Sequence, residues 1–344
     1  MHIVHVNFAK GFRGGEVQTL NLIRGFADLN FPQTLVCRTG AEIKNRLLEL
    51  NLPVNIKETP HPLLGHMRSL KADIIQVHEA RGAYWATIEH FLRKTPYIIT
   101  RRLPRPLSDS AFTRRAYRNA AALTGVSNDT TRSMSNQLGL KAETLLDAYT
   151  THTISHDEAR EIREQIGGGP VIGHVGELSD EHKGQSILIK AFHQLLNDWP
   201  DARLLLLGQG SDRAYFETLA KGDQRIIFAG FQKEIGTWMS VIDILVSPSR
   251  IEGLGNVVLD AMALGIPVIA SNAGGLPELT ADGRGLPVDS LDPAEWTQAI
   301  HYLLINENVR RDFVEKAQKF ALHNDIEEMT KNFLNLYRRI LGVS

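Results

Sequence analysis

The sequence has one cysteine, Cys37, among 344 residues. A single thiol excludes an internal disulfide and any four-cysteine metal site, and it favours a reducing compartment such as the cytoplasm. No apolar run approaches the roughly 18 residues that a membrane helix needs, so we expect no segment to span a bilayer. The first residues also lack the charged region, apolar core and cleavage site of a signal peptide. Together these absences predict a cytoplasmic protein.

Motifs for metal-dependent chemistry are missing as well. The sequence has no Asp-x-Asp motif and no His/Cys spacing typical of a metal site. We therefore expect no cofactor and no essential metal ion.

Charge is balanced over the whole chain, with 38 Lys and Arg against 39 Asp and Glu, but it is distributed unevenly. Residues 1–150 have 20 basic and 12 acidic side chains, and eight of the basic ones fall in the Arg93–Arg118 region, where the only acid is Asp109. This region is either a solvated helix face or a binding surface for a phosphorylated acceptor, an acidic membrane surface or nucleic acid. Aromatic residues are sparse there and no nucleic-acid motif accompanies them, so we expect no nucleic-acid partner.

Short apolar runs alternate with helix-like segments, as in a parallel sheet covered by helices on both faces. The predicted strands are Ile3–Val6, Thr34–Cys37, Ile74–Val77, Tyr97–Thr100, Ala122–Val126, Val171–Val175, Arg203–Gly208, Ile226–Ala229, Ile244–Ser247 and Pro267–Ala270. The predicted helices include Glu16–Ala27, Glu42–Leu50, Gly184–Asn197, Arg213–Lys221, Asn256–Leu264, Pro293–Ile305 and Ile326–Leu341. The strand series restarts after a glycine-rich stretch near residue 168. We predict an α/β protein with two doubly wound Rossmann-like domains, 1–155 and 165–325, and a last helix within 326–344 that is open to either half.

A glycine loop, Gly11-Phe-Arg-Gly14-Gly15-Glu16, stands between the first predicted strand and the first predicted helix. Glycine lets a backbone approach a ligand closely, and a helix N-terminus offers N–H groups to a phosphate. The spacing is neither G-x-G-x-x-G nor a Walker A sequence, which argues against hydride transfer and ATP hydrolysis. By itself the loop is equally compatible with an ordinary turn.

The segment from Ser247 to Ala270 is more specific. It has the pattern of a strand, a polar loop with Glu252, a glycine pair, a helix with Asp260 and a Gly-x-Pro turn into another strand. Eight helical residues span about 12 Å, which is comparable with the reach of a nucleotide sugar from hexose to ribose. Backbone donors at Gly253, Gly255 and the helix N-terminus lie between the two acids and suit a diphosphate. Taken alone, a loop acid followed by a helix acid needs no ligand.

The order of these parts resembles the E-x7-E segment of the retaining GT-B glycosyltransferases, in particular family GT4, the glycosyl transferases group 1. Other matching parts are Gly14-Gly15-Glu16, Val77-His78-Glu79, Gly176 with Lys183-Gly184, Gly208-Gln209-Gly210, Gly230-Phe231 and the segment from Ala273 to Glu278. The resemblance implies two Rossmann-like domains facing across a cleft. It also implies transfer of a sugar from a nucleoside-diphosphate sugar to an acceptor hydroxyl, a reaction of the EC 2.4 class.

The resemblance assigns roles to individual residues. Glu252 would hold hydroxyls of the transferred sugar, Lys183 would neutralise the leaving diphosphate, and His78 would face the sugar near the reacting carbon unless it is only a hydrogen-bonded histidine at a strand end. The expected donor-binding residues are Gly14, Gly15, Gly176, Phe231, Ile235, Gly253, Leu254, Gly255, Asn256 and, on the ribose, Asp260.

The acceptor is expected in the first half, where Arg101 and Arg102 directly follow a strand at the ligand-binding edge of the sheet. We expect a phosphorylated or lipid-linked glycan, such as lipopolysaccharide core, bound by a protein peripheral to the inner face of the cytoplasmic membrane.

The sequence departs from the GT4 pattern at two donor positions. Glu177 stands where the family usually has arginine, and its carboxylate would repel a diphosphate. Asp260 replaces glutamate and withdraws the carboxylate by about 1.5 Å. Two alternatives therefore stay open: an inactive GT-B scaffold or binding partner, and a nucleotide-sugar epimerase or phosphorylase. The sequence does not distinguish the base, the sugar, the acceptor or the oligomeric state.

Overall fold

The computed structural model describes residues 1–66, 70–108 and 110–343. Asp109, the acid of the Arg93–Arg118 region, lies outside the described residues. The chain divides into two compact units, one of Met1–Thr150 with Asn324–Ser344 and one of Thr151–His323. Each unit contains one parallel sheet.

The first unit is built on a seven-stranded sheet. Its strands are β1 (Ile3–Asn7), β2 (Gln33–Arg38), β3 (Val54–Thr59), β4 (Ile74–Val77), β5 (Tyr97–Arg101), β6 (Ala122–Gly125) and β7 (Glu143–Thr144). They lie in the order β3-β2-β1-β4-β5-β6-β7, and all pairs are parallel. The direction of winding reverses between β1 and β4, which is where open α/β sheets bind ligands.

Helices cover this sheet. They are α1 (Gly14–Asp28), α2 (Glu42–Glu49), α3 (Gly82–Arg93), α4 (Ala111–Arg118), α5 (Asn128–Leu138) and, from the end of the chain, α15 (Ile326–Leu341). The start of α1 is fixed by Glu16, whose carboxylate accepts a hydrogen bond from the Arg13 N–H at 3.0 Å. Serine hydroxyls cap α4 and α5, since Ser110 and Ser127 accept from N–H groups three residues on.

The last helix, α15, packs on α1 in the first unit. Gly25 permits this close approach, because a Cβ at that position would lie 1.8 Å from the Thr330 hydroxyl oxygen. The Tyr337 ring stacks on Phe26 at 5.4 Å, and its hydroxyl donates to Gln76 Oε1 at 2.9 Å. A helix far along the chain therefore completes a core built on β1, β4 and α1.

The second unit repeats the architecture with six parallel strands. These are β8 (Val171–Val175), β9 (Arg203–Leu207), β10 (Ile226–Gly230), β11 (Ile244–Ser247), β12 (Val268–Ser271) and β13 (Leu286–Val288). Their order is β10-β9-β8-β11-β12-β13, so the winding reverses between β8 and β11.

The helices of the second unit are α6 (His156–Ile166), α7 (Asp180–Lys183), α8 (Gln185–Leu195), α9 (Arg213–Ala220), α10 (Ile235–Met239), α11 (Asn256–Ala263), α12 (Leu276–Thr280), α13 (Pro293–Ile305) and α14 (Glu307–Leu322), with a 3-10 turn at Ala281–Gly283. A continuous apolar core joins strands β8, β9 and β11 to α8 and α13, with Phe192 and Trp296 fully buried. None of the described helices is both long and apolar enough to cross a bilayer.

The predicted α/β class with two doubly wound sheets is confirmed, and every predicted strand is present within two residues of its predicted ends. Three strands were not predicted: β3, β7 and β13. In β3 only Thr59 is fully buried, and polar Asn55, Lys57 and Glu58 interrupt the apolar pattern of this edge strand. The two others span only two and three residues. Helix α6 occupies the segment 156–166, most of which lies between the two predicted domains, 1–155 and 165–325.

Candidate functional site

The loops after β8 and β11 carry most of the predicted donor residues. Gly176 directly follows β8, Lys183 ends the short helix α7, and Glu252 lies in the loop between β11 and α11. Because β8 and β11 are neighbours at the reversal of the second sheet, their carboxyl ends and these loops meet at one edge. The fold thus gathers residues that are up to 76 positions apart in the sequence.

Lys183 and Glu252 form an ion pair at this edge. The Lys183 Nζ lies 2.6 Å from Glu252 Oε2, and the Ser249 hydroxyl donates to the same oxygen at 3.1 Å. The two side chains are 24% and 14% exposed, respectively, so a ligand can still reach them. The sequence analysis placed Lys183 on a diphosphate and Glu252 on a sugar. In the structure they are direct partners.

Backbone contacts hold the two loops in register. The N–H groups of Arg250 and Ile251 both donate to the His182 carbonyl, at 2.8 and 3.1 Å. Gly184 has a φ of +65°, and a Cβ there would lie 2.3 Å from the Pro248 carbonyl oxygen. Packing therefore requires glycine at position 184, because only glycine lets the two loops approach so closely. Lys183 supplies the charge beside it.

A buried histidine supports the site from below. His174 in β8 donates from Nδ1 to the Val246 carbonyl at 2.9 Å, so its Nε2 is the acceptor that faces the Gln185 amide nitrogen at 3.3 Å. Burial lowers the pKa of His174 to about 4, with a smaller contribution from the nearby Lys183. The Gln185 amide also donates to the Glu177 carbonyl at 2.7 Å, which fixes the turn after Gly176.

Asp260 lies on α11 and pairs with a residue of the interdomain segment. Its Oδ2 is 3.1 Å from His152 Nε2, and both side chains are largely buried. Gly236 leaves room for the His152 side chain, since a Cβ there would lie 2.3 Å from the His152 Cβ. The carboxylate predicted to hold a ribose is thus covered by an imidazole.

The other predicted donor residues divide into exposed and buried groups. Phe231 follows β10 and is 56% exposed, and Ile235 begins α10. Leu254 is buried, so its backbone alone can contact a ligand. Gly255 precedes α11 and Asn256 begins it, so the N-terminus of that helix directly follows the Glu252 loop. Gly253 is buried, and its carbonyl accepts from the Gly275 N–H at 2.8 Å.

In the first unit, His78 ends a chain of buried hydrogen bonds. The Gln33 amide nitrogen donates to the Ile23 carbonyl at 2.9 Å, which turns its oxygen toward His5 Nε2, also at 2.9 Å. His5 Nδ1 lies 3.0 Å from His78 Nε2. Burial lowers the pKa of His5 to about 3 and that of His78 well below its usual value, so both rings are neutral.

The order of donors in this chain defines the tautomers. Since His5 gives its single N–H to Gln33, its Nδ1 must accept the Nε2–H of His78. The Nδ1 of His78 is then an acceptor, and it has no hydrogen-bond partner among the described residues. His78 lies at the reversal between β1 and β4, where a ligand hydroxyl would meet an acceptor atom and not a donor.

Known proteins are similar to this chain in sequence and in fold. Residues 169–306 match the family model described as glycosyl transferases group 1. The Anabaena HepE structure with UDP and glucose has a TM-score of 0.83 at 20% identity, covering 98% of this chain and 100% of that one. The chain therefore shares the fold of that GT-B glycosyltransferase, and its second unit matches the glycosyl transferases group 1 model.

Two curated glycosyltransferases are similar to this chain in sequence. The 2-deoxystreptamine glucosyltransferase of Streptomyces kanamyceticus is 31% identical over 59% of this chain, and the match spans 60% of that protein. The lipopolysaccharide core biosynthesis glycosyltransferase LpsE of Rhizobium meliloti is 26% identical, over 93% of both chains.

The predicted acceptor arginines already have partners within the first unit. Arg102 forms an ion pair with Asp147 and lies 3.3 Å from the position of a Cβ on Gly15. Arg101 donates to the Arg105 carbonyl at 2.9 Å and lies 3.5 Å from the Tyr117 hydroxyl. Gly14 and Gly15 form the first turn of α1. The two arginines thus stay acceptor candidates whose guanidinium groups already have partners.

The sequence patterns did not single out the residues that support the site. His5, Gln33, His152, His174 and Gln185 were not singled out. The signal that could have found the histidines is polarity inside otherwise apolar strands, since His5 and His174 interrupt β1 and β8. Among the described residues there is no group of three or more His, Cys, Asp or Glu side chains that could hold a metal ion.

Proposed function

We propose that this protein transfers a sugar from a nucleoside-diphosphate sugar to a hydroxyl of an acceptor, with retention of the anomeric configuration. The observation that carries the proposal is the Lys183–Glu252 pair at the reversal of the second sheet, beside the N-terminus of α11. A cation and helix N–H groups suit a diphosphate, and a carboxylate suits sugar hydroxyls. The UDP and glucose held by Anabaena HepE support this class of ligand.

The chemical role follows from where charge develops. The bond between the anomeric carbon and the diphosphate oxygen breaks, the acceptor oxygen bonds to the same face of that carbon, and its proton passes to the departing phosphate. Lys183 and the backbone donors of α11 stabilise the negative charge on the leaving group. The proposal assigns this work to the chain itself, without a cofactor or an essential metal, so activity should persist in EDTA.

Asp260 and His78 complete the proposed donor contacts. Asp260 accepts ribose hydroxyls once the His152 imidazole shares or releases its carboxylate. The buried Nδ1 of His78, which has no hydrogen-bond partner among the described residues, accepts a hydroxyl of the transferred sugar. The Gln185 amide fixes the turn at Glu177 through the backbone carbonyl, which any residue at this position would offer.

We further propose a lipid-linked acceptor, such as lipopolysaccharide core, met at the inner face of the cytoplasmic membrane. At the end of α3, Phe91 and Leu92 are 61% and 60% exposed. The Lys94 ammonium and the Arg115 guanidinium lie 5.4 and 5.7 Å from the Phe91 ring centroid. An exposed apolar tip surrounded by cations is typical of a surface that binds anionic lipid. The LpsE relative supports the acceptor class.

Calorimetric titration with UDP, GDP and ADP tests the donor site. We expect one nucleotide to bind, and Lys183→Ala to weaken it roughly tenfold, because a charge-assisted contact is lost. Lys190→Ala is the matched control, since Lys190 is an exposed lysine on α8. Absence of binding by all three nucleotides would overturn the enzymatic proposal in favour of an inactive scaffold. Product formed from the bound donor without any acceptor would instead indicate an epimerase.

Vesicle sedimentation tests the membrane surface. We expect binding to phosphatidylglycerol vesicles that is lost on neutralising the exposed Arg114, Arg115 and Arg118 to glutamine, and at high salt. Binding that is insensitive to both changes would show that these arginines form only a solvated helix face.

A further inference from the structure

A cavity of about 660 Å³ lies in the first unit at the carboxyl ends of β3, β2, β1 and β4. Its wall has two kinds of side chain. The cations are Lys10 after β1, Arg38 at the end of β2 and Arg81 before α3, and the aromatic rings include Tyr84 and Phe112. Among the residues that the structure describes, no aspartate or glutamate lines the cavity.

The cations of this cavity are largely available. Among residues 1–66, 70–108 and 110–343, no hydrogen bond or ion pair engages the Lys10 or Arg38 side chain. Arg81 is near the Glu79 carboxylate, which already accepts N–H groups from Phe8, Arg81 and Gly82 at 3.2, 2.7 and 2.6 Å. Two cations without a partner among the described residues therefore face the cavity, and the nearby Glu79 carboxylate is engaged in joining the β1 and β4 loops.

The aromatic side of the cavity is ordered by contacts within the first unit. The Tyr84 and Phe112 rings are 5.1 Å apart, and the Tyr84 hydroxyl lies 3.1 Å from that of Thr113. Phe112 is 44% exposed. A ring with one open face offers an apolar platform to the C–H side of a saccharide.

We infer that this cavity binds the acceptor, and that the acceptor is a saccharide carrying a phosphate or carboxylate group. Arg38 and Lys10 would hold the anion, since a guanidinium suits a planar carboxylate or phosphate in two hydrogen bonds. The sugar ring would lie against Tyr84 and Phe112. The inference rests on the proposed transferase function, and it moves the acceptor anion away from Arg101 and Arg102, whose guanidinium groups already have partners.

The test is calorimetry on the full chain, saturated with the nucleotide that it binds, using glucose 6-phosphate, glucuronate and glucose as probes. We expect at least one of the two anionic sugars to bind roughly tenfold more tightly than glucose. A preference for one of them identifies the anion as phosphate or carboxylate. Arg38→Gln and Lys10→Gln should each remove most of that advantage.

Arg24→Gln is the matched control, because Arg24 is exposed on α1 and does not line the cavity. Equal affinities for glucose and both anionic sugars, or equal losses in Arg24→Gln and Arg38→Gln, would overturn the inference. Nucleotide binding is measured on the same samples. If it persists while the anionic sugars show no preference, the acceptor inference fails and the proposed donor site stands. If no nucleotide binds, the proposed function fails instead.

Discussion

Lys183 and Glu252 are separated by 69 residues in the sequence and by 2.6 Å between Nζ and Oε2 in the structure. In the proposed donor site, a diphosphate would compete with the Glu252 carboxylate for the Lys183 ammonium group. This competition would lower the affinity for the nucleotide alone, and a donor whose sugar hydroxyls engage Glu252 would relieve it. The proposed site would therefore favour the intact donor over the nucleoside diphosphate that remains after transfer.

This competition predicts an increase in nucleotide affinity on removing a charge. In Glu252→Gln, we expect the nucleoside diphosphate to bind about two- to fivefold more tightly, in line with the strength of partly exposed ion pairs, while transfer is lost. Calorimetry measures the affinity, and Glu181→Gln, an exposed acid on α7, is the control. Weaker binding in Glu252→Gln would mean that Lys183 does not face the diphosphate.

The Asp260 carboxylate should contribute to the affinity for a nucleoside diphosphate and not to the affinity for pyrophosphate. If its carboxylate binds ribose, Asp260→Ala weakens the nucleoside diphosphate roughly tenfold and leaves inorganic pyrophosphate binding unchanged. Thermal denaturation checks the fold, because the change also leaves His152 without its carboxylate partner. Equal effects on both ligands would exclude a ribose contact.

The chain from Gln33 to His78 predicts a single tautomer. In the native protein, we expect ¹⁵N NMR of the imidazole rings to show His78 protonated at Nε2 and neutral at pH 7. His5→Phe removes the acceptor of that proton, so the His78 ring should populate both tautomers and the KM for the donor should rise more than kcat falls. His156→Phe, at an exposed histidine, should change neither the spectrum nor KM. An Nδ1-protonated His78 in the native protein would contradict the hydrogen-bond order.

Buried neutral histidines predict loss of stability in acid. Burial lowers the pKa of His5 to about 3 and that of His174 to about 4, whereas the unfolded chain takes up these protons near pH 6.5. Their contribution to stability is present above pH 6.5 and declines as the pH falls toward those values. At pH 5, each should lower the free energy of unfolding by about 2 kcal/mol relative to pH 7.5.

Urea unfolding at the two pH values measures this effect. His174→Gln keeps a polar side chain that cannot titrate, so its loss of stability in acid should be smaller than that of the native protein. Parallel losses in both proteins would show that His174 does not contribute.

Sequence reasoning succeeded where physical chemistry is local. Continuous apolar runs such as Leu204–Leu207 and Ile244–Val246 favour burial, so their alternation with helices predicted both sheets. It could not foresee that His152 covers Asp260, or that Lys183 meets Glu252, because loop conformation decides contacts between residues about 70 to 110 positions apart. It also emphasised Arg101 and Arg102, since charge is visible in a sequence and an internal partner such as Asp147 is not.

The docking of α15 on α1 sets the order in which the two units can complete their folding during translation. Phe26, β1 and β4 emerge early from the ribosome, but Tyr337 and Phe333, which close their core, are made only after the whole second unit. The second unit is contiguous and can fold as it is translated, whereas the first must wait with an apolar face uncovered. The half of the protein that is made first is thus the last to complete its core.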